Sequence, residues 1–138
     1  MDTLRITRDD IDAEGVYTKA ESIDFDGHVE VAADLGTVRV RGFVRAKGRI
    51  RCLAGSGIEV GEGIEAGWGI ESGEGIESGE GIEAGFSIVA KFLSVRLRIF
   101  AGLVAWRLPE PSECEVRAEI RSGTLAHGTH VAPVEVKS

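Results

Sequence analysis

Residues 57–92 read GIEVGE GIEAGW GIESGE GIESGE GIEAGF SIVAKF, six consecutive six-residue units with no insertion. Five units keep the Gly-Ile-Glu opening. Ile58, Ile64, Ile70, Ile76, Ile82 and Ile88 therefore recur at period six, and Glu59, Glu65, Glu71, Glu77 and Glu83 follow five of them. Six residues make about 1.67 helical turns, so a helix would scatter these isoleucines around its cylinder. Two glycines per unit would also cost a helix about 2 kcal/mol every six residues. Each unit suits instead a short strand with a corner. Ile and the small residue two places on share one face, Glu takes the other, and the flanking glycines are expected to supply the positive φ of tight corners. Such units bury their apolar face only by coiling and stacking. The expected fold class is all-β: a single-domain β-solenoid (β-helix) with six-residue repeats and a C-terminal capping or oligomerisation segment.

The rest of the chain sets limits on this reading. Its 138 residues suffice for one domain. A composition 43% hydrophobic and 28% charged is too apolar for a disordered chain and too charged for a membrane protein. The net charge of −7 opposes direct binding of nucleic acid. Charges occupy the opening MDTLRITRDDID where a signal peptide would be apolar, so a cytoplasmic location and no membrane association are expected. Cys52 and Cys114 show no CxxC spacing and read as small buried side chains. His127 and His130 form an H-x-x-H pair without a convincing third ligand, with His28 remote in sequence. The nine-residue Asp pattern of calcium-binding β-rolls is absent, and GxGxxG-like spacings are a by-product of period six. No catalytic residue, metal or cofactor is assigned, and the expected activity is non-enzymatic protein binding.

Charge order divides the chain further. Residues 39–51 hold six bases and no acid, residues 57–86 eight glutamates and no base, and residues 91–107 four bases and no acid. The apolar/basic alternation of VRVRGFVRAKGRIRC extends the coil upstream to about Val29. This gives an irregular N-terminal cap at 1–28, a solenoid at 29–92 and a C-terminal cap or oligomerisation segment at 93–138. With three hexads per rung, residues 18 apart stack: Lys47 on Glu65 and Glu83, Arg41 on Glu59 and Glu77, Ile50 on Trp68 and Phe86. The glutamates have two readings, as solvated faces balanced by neighbouring basic rungs, or as a recognition surface that imitates a run of phosphates for a basic partner. On the second reading the partner-binding residues are Glu59, Glu65, Glu71, Glu77 and Glu83, with Trp68 and Phe86 as corner aromatics.

After the repeats, KFLSVRLRIFAGLVAWRL (residues 91–108) is apolar with interspersed bases, readable as two strands or as one amphipathic segment that closes the coil. Leu97, Ile99, Phe100, Leu103 and Trp106 are its candidate oligomerisation residues, because a terminal rung left open exposes backbone and core.

Three resemblances attach to these motifs. The hexad period resembles the left-handed β-helix of hexapeptide acyltransferases. That likeness implies a trimer and acyl transfer from a coenzyme A or carrier-protein donor, but the usually small fourth position after the aliphatic residue is here Glu62, Trp68, Glu74, Glu80 or Phe86. The Gly-cornered run from Val29 resembles bactofilins, which implies a self-assembling scaffold. GIEAGWGIESG (63–73), LRIFAGLVAWRLP (97–109) and SGTLAHGT (122–129) resemble small repeat proteins of phage and prophage genomes. That likeness implies a mobile-element setting and, by analogy with small acidic phage proteins, a bacterial defence complex such as a CRISPR effector as partner.

Overall fold

The computed structural model describes residues 1–132, which wind into a solenoid with three faces and parallel pairing between all named strands. The first face stacks β1 (Asp2–Ile6), β3 (Gly27–Val31), β6 (Ile50–Cys52), β9 (Ile70–Ser72) and the start of β12 (Ile88–Phe100). The second stacks β4 (Gly36–Val40), β7 (Ser56–Val60), β10 (Ile76–Ser78) and the middle of β12. The third stacks β2 (Ile23–Phe25), β5 (Val44–Ala46), β8 (Ile64–Ala66), β11 (Ile82–Ala84) and the end of β12. A last complete rung, β13 (Glu115–His127), follows all three faces, and β14 (Thr129–Val131) adds one strand to the first. Strands of the coil thus lie on both sides of the 29–92 span.

The repeat isoleucines form the interior, as period two within each three-residue strand requires. Ile58, Ile64, Ile70, Ile76, Ile82 and Ile88 are all buried, with Val38, Val44 and Ile50 beneath them and Leu93 and Ile99 above. Among the repeats the rung is 18 residues long, pairing Ile58 with Ile76, Ile64 with Ile82 and Ile70 with Ile88.

One rung earlier the length is 20, so Val38 pairs with Ile58 and Ile50 with Ile70. The cause is local. Core positions Ile50 and Ile58 stand eight apart rather than six, and the extra residues form a wider corner at Leu53–Gly55 in which Gly55 has φ +78°. The 18-residue stacking therefore does not reach below the repeats. Arg41 and Lys47 lie two residues out of step with Glu59 and Glu65, Lys47 meets Asp26 at 3.3 Å instead, and Ile50 stacks on Ile70 rather than on Trp68.

The repeat glycines also act differently from expectation. Positive φ occurs at Gly15, Gly36, Gly55, Gly102, Gly123 and Gly128, all outside residues 57–92. Within the repeats glycine serves close approach. A Cβ at Gly85 would run into the carbonyl oxygen of Gly67, one at Gly79 into that of Gly61, and one at Gly75 into the Phe92 ring.

The two ends differ. At the N-terminal end Ile11 bridges Tyr17 antiparallel, Val16 joins Arg39, and Ile6, Tyr17 and Ile23 are buried. At the other end β12 carries no glycine and bends continuously through all three faces, with Leu93 only five residues after Ile88. The chain then pairs back onto the rung below: Gly102 donates to Phe86, Leu103 to Ala84 and Val104 to Gly85. It returns to the coil through a 3-10 turn at Pro111–Cys114.

Candidate partner-binding site

Because a rung holds three hexads, successive repeat glutamates point from successive faces. Glu71 projects from the first face, Glu59 and Glu77 from the second, and Glu65 and Glu83 from the third. The expected surface is a belt around the rod, and no face carries more than two of its five carboxylates. Beneath the belt, Arg39 meets Glu59 at 2.9 Å, Arg45 meets Glu65 at 3.0 Å, and Arg51 meets Glu71 at 3.1 Å. Each such exposed pair contributes about 0.2–1 kcal/mol. Its larger effect is to cancel the outward field of the first acidic tier.

The second tier lacks this compensation. Glu77 has Glu59 on one side and Ser94 on the other, and Glu83 lies between Glu65 and Phe100. Stacked strands lie about 4.8 Å apart, where two exposed like charges repel by about 1 kcal/mol in water. Glu62 and Glu80 stack at the corner between the second and third faces, where the Glu80 amide donates to the Glu62 carbonyl at 3.3 Å. Among the described residues Glu62, Glu77, Glu80 and Glu83 form no ion pair.

Three of these four carboxylates border one groove. It occupies about 690 Å³ along the third face, with Gly63 and Gly81 in its floor. Glu62 and Glu80 form one wall and Glu65 and Glu83 the other; Phe43 and Arg45, the latter paired with Glu65, stand toward the N-terminal side, and Leu97 and Phe100 toward the C-terminal side with Arg96 and Arg98. Glycine at 63 and 81 keeps the floor flush with the backbone between the two acidic walls. Glu62, Glu80, Phe43 and Phe100 were not among the expected binding residues. For Glu62 and Glu80 the signal was present at the fourth position after the isoleucine, where Glu stands in place of a small residue, whereas Phe43 and Phe100 lie outside the hexads.

Trp68 and Phe86 occupy the opposite edge of the third face, both half-buried. Trp68 meets His28 edge-on at 5.1 Å, and Phe86 meets Trp106 edge-on at 5.8 Å. Of the five residues expected at a mating surface, Ile99 is instead fully buried, because it continues the inward column of Ile64 and Ile82. Phe100 is half-buried at the groove, while Leu97, Leu103 and Trp106 are exposed.

Trp106 is held by a clamp. Arg107 lies 4.9 Å over Phe86 and 5.2 Å over Trp106, and its guanidinium is bidentate to Glu113 at 2.8 and 2.7 Å. The hydrogen bonds from Arg107, and then the one from the Glu110 amide, hold the Glu113 carboxyl down at about 2. A carboxyl depressed in this way steadies the loop fully above its ordinary value of 4.5, and that contribution is lost as pH falls from there through about 2. In a Trp68→Phe background, Trp106 fluorescence should therefore change across that window. Glu113→Gln should show the acid-state emission already at neutral pH; native emission there would exclude the clamp.

The remaining singled-out groups have local partners. His127 Nδ1 donates to the Ala101 carbonyl at 2.6 Å, and His130 Nε2 to the Ala118 carbonyl at 2.7 Å. No group of three or more His, Cys, Asp or Glu converges among the described residues. Cys52 is buried and its thiol pushed up to about 12 by burial, whereas Cys114 is only half-buried. No helix among the described residues is long and apolar enough to cross a membrane.

The fold defines the class: the chain is a parallel three-faced β-solenoid. No protein-family model, curated protein or solved structure matches it.

Proposed function

We propose that the protein is a non-enzymatic binding solenoid that holds a basic segment of a protein partner in the groove of its third face. The observation that carries this reading is the unequal neutralisation of the glutamates. Arg39, Arg45 and Arg51 pair with Glu59, Glu65 and Glu71, whereas Glu62 of that tier and Glu80 and Glu83 of the next border a glycine-floored channel without ion-pair partners among the described residues. A lysine or arginine lying between the two walls would meet carboxylates on both sides, and Phe43 and Phe100 offer aromatic faces to its neighbours. Arg45 at the N-terminal end and Arg96 and Arg98 at the C-terminal end bound the acidic stretch of the groove.

The resemblance to phage and prophage repeat proteins makes a bacterial defence complex, with its basic nucleic-acid channels, the first partner to test. A bactofilin-like filament would need both ends of the coil open, and at the N-terminal end the segment joining Ile11 to Tyr17 lies beside β4 on the second face.

The test compares two variants with the same change in net charge. Glu62→Gln/Glu80→Gln/Glu83→Gln should lower capture of a partner at least tenfold and flatten its salt dependence. Glu59→Gln/Glu65→Gln/Glu71→Gln should leave most of it. Equal losses in both would mean that net charge alone governs binding, and no loss in the first would remove the groove from the interface.

A further inference from the structure

We infer that the hollow beside Trp106 is a second subsite of the third-face groove, and that the two together select a polyproline II segment carrying an arginine three residues from another cation. The inference rests on the groove as the partner site and adds to it the spacing and the identity of a second side chain. The hollow occupies about 260 Å³ and is bordered by Glu65, Gly67, Glu83, Gly85, Leu103 and Trp106. Glu65 and Glu83 border the groove as well, so they form a ridge with a hollow on each side. Glycine floors both, Gly63 and Gly81 on one side of the ridge and Gly67 and Gly85 on the other.

The two hollows differ in their far walls. Across the groove stand the carboxylates of Glu62 and Glu80; beyond Gly85 stands the indole of Trp106. Trp106 is 66% exposed and yet held in place. Phe86 meets it edge-on, and Arg107 lies over it at 5.2 Å while bound bidentate by Glu113. An exposed aromatic ring fixed by its neighbours is preorganised to receive a partner side chain. Glu113 balances the charge of Arg107, whereas Glu83 forms no ion pair among the described residues, so the hollow favours a cation. A guanidinium suits both borders, because it stacks on an aromatic face and pairs with a carboxylate through its planar fork.

The spacing follows from the face itself. Glu80, Glu83 and Phe86 succeed one another at steps of three residues, which sets the two hollows about 10 Å apart at the rise of an extended chain. A ligand in β conformation would place same-side residues about 7 or about 13 Å apart, on either side of that distance. Polyproline II has three residues per turn and rises about 3.1 Å per residue, so residues three apart share one side at about 9 Å. Its preformed backbone also spares the ordering cost of a flexible basic segment. One cation then lies between the carboxylate walls, and the arginine one turn along lies between Glu83 and Trp106.

Anisotropy titrations of labelled polyproline peptides at low salt test this, with the full chain carrying Trp68→Phe so that Trp106 is the sole tryptophan. A peptide with two arginines three residues apart should bind about tenfold more tightly than one with a single arginine, and should shift the Trp106 emission. Placing the second arginine two residues away turns it off the shared side and should lose the gain. Trp106→Leu, at an exposed position outside the core, should erase the gain and leave single-arginine binding nearly unchanged. Single-arginine binding that is lost in Glu62→Gln/Glu80→Gln, with no gain from a second arginine or with equal gain at both spacings, would overturn the second subsite and leave the groove standing. A gain that survives Trp106→Leu would overturn it equally. Absence of binding by every peptide would remove groove and subsite together.

Discussion

Gly85→Ala should destabilise the protein by about 3 kcal/mol, at the upper end of overpacking costs, while Gly63→Ala should stabilise it by about 0.5 kcal/mol. Both glycines lie in the repeats and neither has positive φ, so left-handed strain plays no part. The difference is room. At Gly85 the added methyl would run into the carbonyl oxygen of Gly67, an atom fixed by the ladder in which the Gly67 amide donates to Ala46 and the Gly85 amide to Ala66, each at 3.0 Å. Backbone cannot rotate aside as a side chain can, so the third and fourth rungs must separate at that corner. At Gly63 the nearest atom is the Gly81 oxygen at 3.7 Å, an ordinary contact. There alanine restricts the unfolded chain without crowding the folded one. Denaturant midpoints of the two variants are the measurement. A loss at both positions would mean that the repeat glycines serve conformation rather than space.

The same contrast marks what the sequence disclosed. Period six identified the strands and the inward isoleucines, because those follow from alternation and stacking alone; it allowed rungs of 12 or 18, and the register shows 18. It could not say why each repeat keeps its glycines, since positive φ and close approach call for the same residue. The spacing of eight between Ile50 and Ile58 was legible as a number. Its consequence, a shift of the basic partners from Arg41 and Lys47 to Arg39, Arg45 and Arg51, required knowing that the excess is absorbed in one corner. β12 was harder still. Without glycine punctuation KFLSVRLRIF has no readable corner, and the step from Ile88 to Leu93 comes one residue short of the repeat.

The candidate site was legible in composition and hidden in geometry. A run of glutamates 57–86 is an acidic band on paper, yet three faces per rung distribute it around the rod. What gathers carboxylates is the corner, where Glu62 and Glu80 stack beside Glu65 and Glu83 across the glycine floor. Basic residues below take up one tier and leave the next to face outward.

Ile76→Ala should lower stability by about 2–5 kcal/mol, the cost of truncating an isoleucine in a packed interior. Ile76 is fully buried between its register partners Ile58 and Leu93. In a solenoid each rung contacts only its neighbours, so stability is close to a sum of rung terms and nearest-neighbour interfaces. A cavity at Ile76 weakens two interfaces at once, and no other part of the core can collapse into it from a distance. Leu125→Ala, in the half-buried last column, should cost about 1 kcal/mol or less. Hydrogen exchange would separate this from uniform weakening. With Ile76→Ala, amides of β12 and β13 should lose more protection than those of β1 and β3, because the C-terminal rungs are held to the rest through the damaged layer. Equal loss of protection along the rod would mean that the coil unfolds as one cooperative block and that its rungs are not the units of stability.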